Sequence, residues 1–362
     1  TVPDIGSDSA TGVTSGTYTA PISGLVYSTT YQWTVEVTDS TDEVSATFSL
    51  TTELEPQVWY DNSWQYRKEI AIDHTKIDAD LTDFPVLISF DADSDLASYA
   101  QADGDDILFT DESAGKLSHE IEYFAATGEL AAWVNVPLLS STTDTVLYLY
   151  YGNPGASNQE DVEGVWDAGY ALVQHLEETS GSHEDSTSNS NDGTPVNGVT
   201  QDASGKIAGA DSFDGSDDYI DLGNHSSVNF GTGDFTIEVW FNTDYASWHY
   251  TLGKGGGTDA GSKGYGIAIT SGQPYGFIHD GSRLIWTTNT GAYDDGNWHH
   301  FAVVFDRDGF VTPYVDSVAL PATDISARSG SVDGTPNLQI GRMVSGGNWN
   351  GSIDEVRLSS VT

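Results

Sequence analysis

Cysteine is absent from this 362-residue chain, and basic residues are scarce: 12 Lys and Arg stand against 55 Asp and Glu, a net charge of −43. Without cysteine there is neither a disulfide framework nor a thiolate metal site. In an exported protein, stability must then come from core size and bound ions. So few cations exclude nucleic acid and anionic membrane surfaces as partners, since both need a basic footprint. No run of about 18 apolar residues occurs, so no segment reads as a spanning helix and no membrane insertion is expected. The N-terminus also lacks the basic-then-apolar order of a signal peptide. An exported form would have lost that signal or carry it upstream.

What is present is acid, and it is mostly Asp: 39 of the 55, spread along the chain. Two readings stand side by side. Short carboxylates in loops suit Ca²⁺, which takes six to eight oxygen ligands. A diffuse acidic surface also keeps a protein soluble in concentrated salt, where screening removes self-repulsion. The second reading points to a prokaryote in a saline setting. Hydrophobic content of 38% supports real cores rather than a disordered tail, and the length allows two or three domains.

Strand-like alternation runs through the whole chain. Tyr31, Trp33, Val35 and Val37 alternate with Gln32, Thr34 and Glu36, and Val44, Ala46, Phe48 and Leu50 repeat the pattern across a hairpin. Ser28-Thr-Thr-Tyr-Gln-Trp-Thr-Val-Glu-Val37 and Thr47-Phe-Ser-Leu-Thr-Thr52 resemble the last two strands of a fibronectin-type-III domain. A whole domain of that kind needs about 100 residues and seven strands, so residues 1–52 read as a partial sandwich. Its apolar face needs a cover, either Val13–Val26 folding back or a strand from a neighbouring molecule.

After a linker at 53–57, strands are expected at Tyr66–Ile72, Phe84–Phe90, Asp106–Phe109, Ile121–Phe124, Ala132–Val136 and Thr145–Tyr151, with the only short helix within Asp93–Ala102. The frame Trp64…Arg67, Phe84-Pro-Val, Asp105-Asp-Ile-Leu-Phe-Thr-Asp111, Trp133-Val-Asn-Val-Pro and Leu149-Tyr-Tyr-Gly-Asn-Pro154 resembles an uncharacterised β-sandwich family of prokaryotic surface proteins, over residues 59–156. That family implies location and architecture rather than chemistry.

The last third carries five segments in order: Asp211–Gly223, Asp234–Phe241, Gly296–Phe305 with Tyr314-Val-Asp316, Leu338–Gly341 and Gly351–Leu358. Their order and spacing resemble the laminin-G-like, concanavalin-A-like jelly-roll family across residues 165–362. The fold class is therefore all-β: tandem β-sandwiches with a C-terminal concanavalin-A-like jelly roll. The resemblance implies a binding module for glycans or proteins, often with a structural Ca²⁺ between a loop near the domain start and the final strand. The positions that match are Asp185, Asn191, Asp192 and Asp354. Against that, Asp185 and Asn191 also suit local turns, and Asp354 also suits pairing with Arg357 or Arg342. Asp214-Gly-Ser-Asp-Asp-Tyr219 reads as a tight turn.

A glycan platform needs exposed rings with polar groups beside them. Trp248, Tyr250, Tyr275, Trp286, Tyr293 and Trp349, with Asp280 and Arg283, fall in or near expected loops and are the candidates; Trp240 and Trp298 fall in strands and read as core. Related jelly rolls that cleave glycans carry Glu-x-Asp-x-x-Glu on one strand; that spacing is absent from the last domain. Asp354 and Glu355 are expected on opposite faces of a strand, as are His299 and His300. No catalytic residue is assigned.

Together these readings point to a non-catalytic extracellular adhesion or structural surface module, calcium-stabilised and cut from a larger modular protein. A carbohydrate-binding appendage of a polysaccharide-degrading enzyme is the first alternative. A subunit of an extracellular filament built by strand complementation is the second. The partners implied are a glycan or a surface protein, with homopolymer formation open.

Overall fold

The computed structural model describes residues 29–39, 41–52, 58–256, 262–344 and 346–360, with isolated positions before residue 29. It divides into two compact units, Thr1–Trp59 and Tyr60–Thr362. No helix among the described residues is long and apolar enough to cross a membrane.

In the first unit, Thr30–Thr38 pairs with Glu43–Thr51 in an antiparallel hairpin. The register sets Tyr31 opposite Leu50, Trp33 opposite Phe48, Val35 opposite Ala46 and Val37 opposite Val44. The apolar residues thus share one face, and Thr, Ser, Gln32, Glu36 and Glu43 occupy the other, as a period of two requires. Trp33 and Phe48 stack at 5.5 Å. The expected cover is partial among the described residues: Tyr31 on this face is fully buried and its hydroxyl accepts the Val26 amide at 2.8 Å, whereas Trp33, Val35 and Phe48 are 42–48% exposed; the strands themselves are where alternation put them. Most of Val13–Val26 lies outside the described residues.

The second unit begins with a β-sandwich. Tyr66–Ile72, Thr145–Tyr151, Leu108–Thr110 and Lys116–Leu117 form a four-stranded sheet, and Leu81–Phe90, Leu130–Leu139 and His119–Phe124 a three-stranded one. Between them lie Ile88, Phe109, Leu130, Ala132, Val134, Leu147 and Leu149. The short helix Ser94–Tyr99 starts where the Asp93 carboxylate accepts the amides of Asp95 and Leu96, the usual N-cap arrangement. A second short helix, Val162–Val165, was not expected. Buried Asp106 accepts the amides of Gln101, Gly152 and Asn153 at 2.7–2.9 Å. That bond set is why an Asp-Asp-Ile motif and a Tyr-Gly-Asn-Pro motif occur together.

The jelly roll follows. Its nine-stranded sheet is organised on the long strand Asn350–Ser359. That strand pairs with Phe235–Asn242 on one edge, and with Gly209–Asp214 and then Tyr170–Gln174 on the other. A seven-stranded sheet faces it. Phe235, Ile237, Val239, Phe241, Tyr265, Ile267, Phe301, Val303, Ile353, Val356 and Leu358 are fully buried between the two. The Asp214–Tyr219 segment is the expected tight turn: Gly215 has φ +80°, and the Asp214 carboxylate accepts the Ser216 amide. Trp240 and Trp298 are half-buried rather than core. Lys206 Nζ lies over the outward-facing Trp240 ring at 4.8 Å.

Candidate functional site

Two bulges, one in each module of the second unit, shape the most unusual site in the molecule. In Asn350–Ser359 the register slips between the partners of Glu238 and Trp240, and Glu355 takes φ +51°. A bulge adds one residue and turns the next side chain over. Asp354, Glu355 and Arg357 therefore leave on the outer face, while Ile353, Val356 and Leu358 point into the core. This corrects the expectation that Asp354 and Glu355 face opposite ways. In His119–Phe124 a similar slip between Ile121 and Tyr123 leaves Glu122 without a register partner. Glu120 sits opposite Trp133 in the same ladder.

These faces meet. Trp133, Val165, Trp166 and Val173 bury a small apolar patch between the first sandwich and the jelly roll. Within it, His175 is clamped on both ring nitrogens: Nδ1 lies 2.7 Å from Glu355 Oε1 and 3.5 Å from Glu122 Oε2, and Nε2 lies 3.3 Å from Glu120 Oε2. Trp133 Nε1 donates to Glu122 Oε2 at 2.8 Å, and Trp166 Nε1 to Glu120 Oε2 at 2.7 Å. Ser186 Oγ donates to Glu120 Oε1 at 2.7 Å. Arg357 pairs with Glu355 and lies over the Trp133 ring at 4.0 Å.

The electrostatics follow from burial and proximity. Burial pulls the His175 imidazolium down, but Glu355 and Glu120 outweigh it and hold its pKa well above the ordinary value. Burial favours protonation of Glu355 too, yet His175 and Arg357 overcome it and bring the carboxyl to about 2. Glu122 is the odd acid: burial, then the Glu355 charge beside it, push it up to about 9. Its Oε1 is buried with no hydrogen-bond partner.

The calcium candidates are placed otherwise. Asp185 Oδ1 accepts the Val173 and Thr187 amides, and its Oδ2 accepts Thr187 Oγ1 and the Asn191 amide, all at 2.8–3.1 Å. Four donors fill the lone-pair sites of a carboxylate. Asn191 Oδ1 accepts Ser227 Oγ, and Asp192 Oδ1 accepts the Asp185 amide. Asp354 Oδ2 accepts the Lys206 and Ile207 amides, and pairs with neither Arg357 nor Arg342. Among the described residues, clusters of three potential ligands lie elsewhere. Asp185, Asn191 and Asp192 thus use side-chain oxygens to hold loops, whereas Asp354 Oδ1 is buried without a hydrogen-bond partner. The Asp185 loop instead carries Ser186 to the junction.

Of the eight glycan candidates, burial removes three. Trp349 is fully buried, stacked on His249 at 4.0 Å and edge-on to Phe241. Trp286 is 2% exposed and fills the space above Gly276 in the inter-sheet core. Tyr250 is buried with Ala268, Phe277 and Met343 on the outer face of the seven-stranded sheet. Loops rich in aromatics had suggested exposure, but these rings close the sandwich instead. Asp280 accepts the Ser282 and Gly330 amides, and half-buried Tyr293 packs on the core. The remaining three converge on Tyr250. Trp248, 39% exposed, meets its ring at 5.1 Å, half-buried Tyr275 at 6.4 Å, and Arg283 donates to its hydroxyl at 3.2 Å.

A signal for the junction was in the sequence. Leu130-Ala-Ala-Trp-Val-Asn-Val-Pro-Leu-Leu139 has little polar–apolar alternation, the mark of a strand buried on both faces. His175, Glu120, Glu122, Glu355 and Arg357 had no motif to give them away.

Comparison with known proteins agrees with this layout. Residues 214–362 match the model of the concanavalin A-like lectin/glucanases superfamily, and residues 103–191 match that of a domain of unknown function, DUF2341. The second match runs past the first sandwich onto the jelly-roll strand that leads to His175. No curated protein matches. Solved structures that are similar include the binding domain of Paraclostridial Mosquitocidal Protein 1, at 15% identity and a TM-score of 0.44, covering 53% of this chain and 49% of that one. The binding domain of botulinum neurotoxin DC, in complex with rat synaptotagmin II, is similar at 10% identity and a TM-score of 0.42, covering 53% and 48%. The chain thus spans about half the length of these structures. Residues 214–362 thus fold as a concanavalin A-like jelly roll, and residues 103–191 are similar to a domain of unknown function.

Proposed function

We propose that this chain is a non-catalytic binding module of an extracellular or cell-surface protein, adhesive or structural in role, in a saline setting. The observation that carries this reading is the outer face of the seven-stranded sheet. There Trp248, Tyr275 and Arg283 gather around buried Tyr250, giving partly exposed rings beside a guanidinium. Rings stack on sugar faces and a guanidinium bonds hydroxyls or carboxylates, so the ligand class is a glycan. The net charge of −43 supports a surface adapted to salt, where screening spares it self-repulsion. The acids of the junction are committed to His175, Arg357 and two Trp rings, in a place sealed from any polymer, which supports a binding rather than a cleaving role.

A glycan array followed by titration of the best ligand tests this. Trp248→Ala is expected to weaken binding at least tenfold, about 1.4 kcal/mol, with the melting temperature unchanged. An array without ligands, or a variant that binds like the parent, would sink the reading. The half-exposed hairpin face at Trp33, Val35 and Phe48 favours a second role, assembly of copies that cover one another's strands. Light scattering of the full chain should then show assemblies that Val35→Asp dissolves.

A further inference from the structure

We propose that Glu122, His175 and Glu355 form a buried binding site for a divalent transition-metal ion of the zinc type, one that pins the two β modules together. The three ligands come from three strands or strand ends in two modules. One candidate ligand atom from each lies within 4.8 Å of the others. His175 Nδ1 is 2.7 Å from Glu355 Oε1 and 3.5 Å from Glu122 Oε2. These distances straddle the roughly 3.3 Å edge of a tetrahedral shell whose ligands sit about 2.0–2.1 Å from the ion.

The surroundings are those a metal needs. A ligating histidine offers its other ring N–H to a carboxylate, and ligating carboxylates are themselves hydrogen-bonded. Here Glu120 faces Nε2, Trp133 holds Glu122 and Arg357 holds Glu355. A separate observation points the same way. The Glu122 side chain has no exposed surface, and its Oε1 has no partner. An orphaned buried carboxylate oxygen is costly, and a cation would satisfy it. Imidazole plus carboxylate, without thiolate, suits Zn²⁺, Mn²⁺ or Fe²⁺ better than Ca²⁺, which takes oxygens alone.

Binding must displace protons. The His175 Nδ1 proton and the proton on Glu122 leave to solvent, while Nε2–H stays on Glu120. Affinity therefore rises with pH, because the ligands must be deprotonated to bind the ion.

The full chain, stripped of metal and refolded from urea with Zn²⁺ or Co²⁺, tests this by equilibrium dialysis and cobalt absorption. The expected result is one Zn²⁺ per chain at the junction, released protons in calorimetry, and a visible cobalt band. Glu122→Gln should fold, lower the affinity at least 100-fold and lose the band. Asp144→Asn, which dismantles the exposed cluster Asp73–His74–Asp144, should leave the bound equivalent in place. The proposal falls if the refolded parent binds no metal, if Glu122→Gln binds like the parent, or if Asp144→Asn removes the ion.

Discussion

The hairpin at Thr30–Thr51 and the nine-stranded sheet of the jelly roll each carry a face turned away from their own core, and the two faces differ in chemistry. The hairpin offers Trp33, Val35, Val37, Val44 and Phe48, all apolar and 42–68% exposed. The sheet offers buried Glu355, half-buried Arg357 and, nearby, buried His175, set against Trp133, Trp166, Glu120 and Glu122 of the preceding module. An apolar face accepts many partners in many registers. A buried ionic cluster accepts one, because any shift leaves a charge unpaired, and breaking such a pair costs far more than forming it yields. The junction is therefore read as a device for fixing geometry between modules, and the hairpin as a surface whose partner is less strictly defined.

The sharpest way to break that contrast is at Glu355. Glu355→Ala leaves buried His175 and half-buried Arg357 without their shared carboxylate, and should cost about 3–5 kcal/mol in denaturant unfolding. A loss below 1 kcal/mol would mean the cluster is loosely held. A core reference is Trp349→Ala, expected to cost a similar 3–5 kcal/mol, whereas Trp248→Ala should cost little. Equal losses would overturn the separation of buried from ligand-facing rings.

A middle-sized effect concerns pH. His183 lies between Glu178 at 2.5 Å and Asp211 at 2.8 Å. Burial lowers its pKa, but the two carboxylates outweigh this and bring it to about 9. A folded-state pKa above the unfolded value of about 6.5 gives stability that is full below pH 6.5 and lost as pH rises through 9. His183→Gln should flatten that part of the stability profile relative to the parent. An unchanged slope would show that His183 is not charged in the fold.

How far the sequence spoke follows the same contrast. Period-two alternation located the strands Tyr66–Ile72 and Thr145–Tyr151 to the residue and placed the hairpin register, because nothing interrupts those ladders. The junction was hidden because both of its turned-over acids depend on bulges. Glu355 reads as facing away from Asp354 until one extra residue reverses it. Long-range partners such as Glu120 and His175, 55 residues apart, leave no local pattern. The rings at 250, 286 and 349 misled for a different reason: they fall in or near expected loops, but Gly276 and Gly347 leave the space that packed rings and their neighbours occupy.

Smaller effects sharpen the other side. With 55 acids against 12 bases, added potassium chloride should raise the melting temperature by screening; a flat response would mean repulsion is already relieved. Val35→Asp, on a half-exposed hairpin position, should change the stability of residues 60–362 by less than about 0.5 kcal/mol. A larger change would tie the hairpin to the second unit's fold.

Differential scanning calorimetry of the full chain puts the central claim to the most direct test. If the junction locks the two modules, residues 60–362 melt in one transition whose calorimetric and van't Hoff enthalpies agree, and Glu355→Ala splits it in two. Two separate transitions in the parent protein, one for each β module, would contradict the account.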